Sequence, residues 1–219
     1  MNSKWILLLK KMPSLLIGLF LFAIGISLTV KANLGLSPWS VFHMGLSKHL
    51  PITFGQASQL TGFLLILLTF FIKIVPGLAT IFNMYLVGFF VDVILNSNIL
   101  PAPNTMILRI IVLFLGLVAI AFASYFYLRV ELGAGPRDGL MEGLVRVTNK
   151  SVGFIRTAIE VSVLVTGFLL GGPLGVGTVI ASLFTGTTVQ WAFKIGKYDP
   201  NKAHHINLTQ MHKVYGKEN

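Results

Sequence analysis

The chain has no cysteine in its 219 residues. Disulfides, thiol nucleophiles and thiolate metal sites are therefore excluded. Charge is scarce as well: Asp, Glu, Lys and Arg together make up 11% of the chain, and only 7 residues are acidic. A soluble domain carries about 25% charged residues. With 54% hydrophobic residues and a mean hydropathy of +0.81, too few polar side chains remain to cover a water-facing surface. The composition reads as one small membrane-embedded domain. A net charge of +10 invites a nucleic-acid partner. The basic residues, however, stand at the ends of apolar runs and in the C-terminal tail, where anionic headgroups account for them. The lipid bilayer is the expected partner, and nucleic acid is not.

Glycine, by contrast, is plentiful and recurs at a fixed offset of 98 residues. Leu34-Gly35-x-x-Pro38 returns as Leu132-Gly133-x-x-Pro136, and Gly45-Leu46 as Gly143-Leu144. Gly18, Gly55, Gly77 and Gly88 return as Gly116, Gly153, Gly175 and Gly186. Random placement would align far fewer. Glycine marks close backbone approach or positive φ, so backbone geometry recurs along with hydrophobicity. The chain reads as a duplicated unit, with repeat 1 over about 13–98, repeat 2 over about 109–196 and a basic tail over 197–219.

Six apolar runs approach the ~20 residues needed to cross a bilayer core: Ser14–Val30, Phe54–Ile72, Leu78–Leu95, Ile110–Leu128, Val152–Leu170 and Gly175–Phe193. The first follows Lys10-Lys11 like a signal-peptide core. It lacks a small-x-small cleavage site and a polar mature start, so it is expected to be a true span. Three spans per repeat force the second unit to enter from the opposite side. The expected fold is thus all-α and polytopic, a 3+3 inverted-topology repeat. With the N-terminus inside, fourteen Lys and Arg fall on inner segments and three (Lys31, Lys48, Arg109) on outer ones. Basic residues accumulate on the cytoplasmic side, so both termini are expected there.

After its first span each repeat carries a short element, one opened by Ser37-Pro38 and the other by Gly135-Pro136. Ser or Gly before Pro suits an N-cap and first helical position. A dozen helical residues rise about 18 Å, too little to cross. Two placements stay open. One is an amphipathic interfacial helix, with Trp39, Phe42 and Leu46 toward lipid. The other is a re-entrant half-helix whose N-terminus faces a polar cavity, with Gly35, Ser37, Pro38, His43, Gly133, Gly135, Pro136, Arg137 and Asp138 at the two turns.

The segment Leu34–Leu46, the stretch Leu132-Gly133-Ala134-Gly135-Pro136-Arg137-Asp138-Gly139-Leu140 and Pro173–Thr178 together resemble the YczE/YyaS-like bacterial integral membrane proteins, distantly similar to the YitT group. The resemblance covers nearly the whole chain apart from its first dozen residues and the tail. In the first repeat Ser37, Trp39 and Ser40 replace Gly135, Arg137 and Asp138. The resemblance implies a bacterial plasma-membrane location and six spans. It implies no substrate, and no catalytic residue carries over.

Polar residues within spans are costly and usually face the bundle interior. Glu160 lies about eight residues into the fifth span, roughly 12 Å deep. Arg156, one turn earlier, is its natural ion-pair partner; the alternative is a carboxylate lining a solute or ion pathway. Asp92 and its repeat equivalent Gln190 lie near span ends, as interfacial anchors or pathway residues. Asn83, Thr185, Thr187 and Thr188 sit deeper, where hydroxyls also satisfy local carbonyls or join helices. Gly171-Gly172-x-x-Gly175-x-Gly177 lacks the Lys-Ser/Thr of a phosphate loop and reads as a tight turn. His204, His205 and His212 read as part of a solvated tail, not a metal site. No cofactor or metal is expected.

Three classes remain: a small-solute transporter or permease, a non-transporting accessory or regulatory membrane protein, and an intramembrane enzyme. The enzyme is disfavoured, because no Ser/His pair, His-x-x-x-His spacing or paired aspartates occur within the spans. The paired, interrupted half-helices favour the first class.

Overall fold

A computed structural model describes residues 3–97, 99–200 and 202–215, with side chains between Ile6 and Met211. Every regular element among the described residues is helical. The helices are α1 (Ser3–Ala32), α2 (Pro38–His49), α3 (Phe54–Phe71), α4 (Leu78–Asn96), α5 (Met106–Leu128), α6 (Pro136–Thr148), α7 (Val152–Leu169), α8 (Val176–Ile195) and α9 (Leu208–Tyr215). Local chemistry sets several starts. Thr53 and Gln56 form a capping box at α3. Ser151 Oγ accepts the Phe154 amide at 3.3 Å at α7. Pro38 and Pro136 open α2 and α6, where a missing N–H costs nothing.

Among the described residues, five helices are long and apolar enough to cross a membrane: Ile6–Ala32 within α1, then α3, α4, α5 and α7. Phe71, Leu169 and Ile107 are 85%, 77% and 72% exposed. Together with many neighbours like them they form an apolar surface that only lipid or protein would cover. The sequence leads one to expect six spans, but α8 falls short in apolarity. Its 20 residues rise about 30 Å, yet they include Thr178, Thr185, Thr187, Thr188 and Gln190. Thr185 donates to Ala181 O at 2.5 Å, and Thr187 and Thr188 each to Phe184 O at 2.9 Å. These hydroxyls are satisfied inside the helix, which hydropathy alone does not register.

The most extensive helix pair is α1 with α5, and its seam is built of small residues. A Cβ on Gly18 would stand 3.1 Å from Ala123 O; one on Gly116 would stand 2.9 Å from Gly25 O. Each of these contacts is the other shifted by 98 residues. The same reciprocity governs the turns. Gly177 N donates to Leu34 O at 2.7 Å, and Ala79 N donates to Leu132 O at 2.8 Å. Gly35 (φ 109°) and Gly133 (φ 114°) adopt the backbone that glycine tolerates best, packed against Gly175 and Gly77. Likewise α2 packs on α7, and α6 on α3.

One contact is not reciprocal. A Cβ on Gly55 would collide with the Gly88 carbonyl, and one on Gly88 with the Gly55 carbonyl, so α3 and α4 are pressed together. Their equivalents Gly153 and Gly186, on α7 and α8, have open space within 4 Å.

The C-terminal segment differs from the solvated tail expected of it. Ile206 N donates to Glu131 O at 2.9 Å and Leu208 N to Pro76 O at 3.0 Å, while Ile206 and Met211 pack against the core. Tyr198 donates to Leu128 O at 3.3 Å, and burial pushes its phenol up to about 12. Two apolar side chains in a basic segment are enough to hold it against the bundle. His204 is exposed and His205 half-buried; the side chain of His212 lies outside the described residues.

Candidate functional site

Gly186, on the open side, is on the wall of a cavity of about 620 Å³. Phe22, Ile26 and Leu117 form an apolar wall from α1 and α5, and the starts of both α2 and α6 project into it. Ser37, Pro38, His43, Gly135, Pro136, Arg137 and Asp138 all line this one space. Gly35 and Gly133 instead shape the turns behind it. Trp39 is 8% exposed and lines the cavity, contrary to a lipid-facing placement. Phe42 and Leu46 are half-buried. Most of α2 is enclosed by protein, which a helix lying on the membrane surface would not be.

Charges in the cavity sort into unequal partnerships. Arg156 Nε donates to Glu160 Oε1 at 3.2 Å, the (i, i+4) pair that the spacing suggests. Both residues line the cavity, as does Gly62, the position equivalent to Glu160. Asp138 turns back toward the Gly135 amide and places its negative charge in the first turn of α6. Arg137 forms no ion pair within 4 Å among the described residues; its guanidinium carbon lies 4.5 Å from the Trp39 ring centroid. That distance is a cation–π contact.

Four buried polar atoms lack hydrogen-bond partners among the described residues, and two of them, in His43 and Tyr127, belong to residues of the cavity wall. His43 Nε2 and Tyr127 OH make no hydrogen bond among the described residues, although each residue is only 2% exposed and lines the cavity. Buried polar groups are nearly always satisfied, so an orphan on a cavity wall marks a place for water or a ligand. The sequence singles out His43 but misses Tyr127, whose ring looks like ordinary span filling.

Asn83, Thr185 and Gln190 also line the cavity. Asn83 begins a π-helical turn, Asn83–Val87, inside α4; such turns are rare and concentrate at functional sites. Asp92 is elsewhere. It accepts from the Thr53 hydroxyl and from Gly55 N at 2.8 Å, fixing the positive start of α3 as an anchor. Thr187 and Thr188 are not part of the wall.

Apolar helices long enough to cross a bilayer, gathered around a polar cavity, define a polytopic helical membrane protein. The chain belongs to the family of unknown function DUF6198, whose model matches residues 9–194. It is similar to the uncharacterized membrane protein YczE of Bacillus subtilis (strain 168), 37% identical over 177 residues, which cover 80% of this chain and 81% of that protein. An uncharacterized protein of Haemophilus influenzae is 34% identical over 194 residues, covering 89% of this chain and 88% of its own. The uncharacterized protein YyaS of Bacillus subtilis is 27% identical over 175 residues, covering 78% and 86%. The resemblance drawn from the Leu-Gly-x-x-Pro turns therefore holds. No solved structure matches the chain.

Proposed function

We propose that the chain is a carrier of a small solute in the bacterial plasma membrane, built from two inverted halves with both termini in the cytoplasm. The observation that carries this reading is the unequal closure of equivalent helix pairs. Gly55 and Gly88 lock α3 to α4, whereas Gly153 and Gly186 leave α7 and α8 apart beside the cavity. Exchanging the two arrangements would close the cavity on one face and open it on the other, which is how inverted repeats give alternating access. The reciprocal turn hydrogen bonds at the 98-residue offset support the inverted repeat, with α8 as its sixth span. The convergence of two Pro-initiated helices on one cavity supports their re-entrant placement.

The absence of native cysteine makes the test direct. In the double variant Gly153→Cys/Gly186→Cys in membranes, a mild oxidant should form a disulfide, because closure brings the pair to the separation that Gly55 and Gly88 now have. Disulfides need Cα atoms within about 7 Å. A single cysteine at Ser40 should then lose access to a small impermeant thiol reagent from one face after oxidation, and keep or gain it from the other. If no oxidant closes the pair, and Ser40→Cys is reached from one face at most, the protein is a static accessory component instead.

A further inference from the structure

We propose that the cavity binds a small organic monocarboxylate, its anionic end held between the N-terminus of α2 and the Arg137 guanidinium. The inference rests on the carrier reading, since the same cavity serves both.

Arg137 makes no ion pair within 4 Å among the described residues, and the Asp138 and Glu160 carboxylates act on it only from farther off. Arg156 is engaged by Glu160, and Asp138 stands in the first turn of α6. Arg137 retains its hydrogen-bond donors while its face rests on Trp39. A guanidinium in that state matches a carboxylate geometrically, two donors to two oxygens.

The α2 N-terminus stands on the same wall and is uncapped. It has no acid in its first turn, and Ser37 donates its hydroxyl to Ser40 Oγ at 3.0 Å instead of accepting from the helix. Pro38 has no N–H, and the Trp39 and Ser40 amides lie in the first turn, where no carbonyl of the helix can reach them. Free amides at a positive helix end form an anion-binding site. The equivalent end of α6 already carries the Asp138 carboxylate in its first turn, whereas the α2 end carries no acid.

Independent of both is the orphaned pair, His43 Nε2 and Tyr127 OH. The phenol is a donor without an acceptor, its oxygen closed off from the cavity near Gly135, and a carboxylate oxygen that displaces the packing over it supplies one. Phe22, Ile26 and Leu117 give the rest of the ligand an apolar surface. Arg137 and Arg156 balance Asp138 and Glu160 on the wall, so the α2 helix end and the Arg137 donors suit one further negative charge better than a phosphate dianion. A volume of about 620 Å³ suits a small molecule.

The test is calorimetric titration of the purified full-length protein with sodium butyrate and sodium benzoate, beside sodium phosphate, choline chloride and glycine. The carboxylates should bind saturably and the other three not. Arg137→Gln should weaken butyrate binding roughly tenfold or more, because it removes the cation that pairs with the bound carboxylate, and Arg137→Lys should recover part of the loss. Arg146→Gln, outside the cavity, should change nothing. If thermal melting shows that Arg137→Gln does not fold, Tyr127→Phe takes its place, with a few-fold loss expected. Absence of saturable carboxylate binding, equal binding of phosphate, choline or glycine, or carboxylate binding indifferent to both variants would overturn the proposal. Two-sided access and closure of the Gly153–Gly186 pair would then still stand, so the carrier reading is judged separately.

Discussion

Trp39 and Arg137 stand 98 residues apart in the chain and meet inside it, the guanidinium carbon 4.5 Å from the indole centroid. Under the inverted-repeat reading, such a contact falls where the two halves meet. A double-mutant cycle of Trp39→Leu and Arg137→Gln, read by thermal melting in detergent, should give a coupling of about 0.5–2 kcal/mol. Trp39→Phe should retain part of it. Additive effects would mean that the two side chains are merely adjacent.

The turn glycines and the open glycines should behave oppositely. Gly35→Ala and Gly133→Ala place a Cβ on positive-φ backbone, 2.6 Å from Gly175 N and Gly77 Cα respectively. Each should cost about 1–3 kcal/mol or prevent assembly. Gly153→Ala and Gly186→Ala meet nothing within 4 Å and sit in helices. They should be neutral or stabilise by up to about 1 kcal/mol. Melting midpoints of the four single variants decide the matter.

The Arg156–Glu160 pair should matter little to stability. Its side chains are 58% and 34% exposed, and an (i, i+4) pair of that kind contributes about 0.3–0.5 kcal/mol. Glu160→Gln should therefore melt within a degree or two of the parent while altering the charge of the cavity wall. A large fall in melting temperature would show that the carboxylate is structural.

Docking of the C-terminal segment should weaken in acid. Burial holds the His205 imidazole below its ordinary value, against the opposing pull of Glu131, Asp138 and Glu142. Above about 6.5 the ring is neutral both docked and undocked. As pH falls through that value the undocked ring takes up its proton first, which favours release. Hydrogen exchange at Ile206 and Leu208, corrected for intrinsic rates, should speed up between about pH 7.5 and pH 5.5. The variant His205→Gln should lose this dependence.

How much of this was readable in the residues differs by element. The Leu-Gly-x-x-Pro turns announce themselves because positive φ and close approach demand glycine, and both demands leave a mark on sequence. The cavity-facing ends of α2 and α6 follow from Pro at the first helical position. The residues left two placements open for Trp39, because an aromatic on a short helix looks the same whether a bilayer or an arginine covers it. The 98-residue offset between Trp39 and Arg137 was the available signal. The π-turn at Asn83 has no residue signature, since its wider hydrogen bonds depend on what packs around α4. Docking of the tail rests on Ile206, Met211 and a few backbone hydrogen bonds, too few apolar residues for any periodicity to show.

The glycine pairs have an energetic meaning under the carrier reading. Because Gly55, Gly88, Gly153 and Gly186 are all present, neither end state is forbidden by a side chain at the closing seam. Two conformations that exchange the roles of near-equivalent halves share most of their backbone energy. Their difference comes down to the substitutions between halves, such as Glu160 opposite Gly62 and Arg137 opposite Trp39. A preference of about 1.4 kcal/mol shifts such an equilibrium tenfold. A handful of unmatched side chains thus sets which face the empty molecule leaves open, and by how wide a margin.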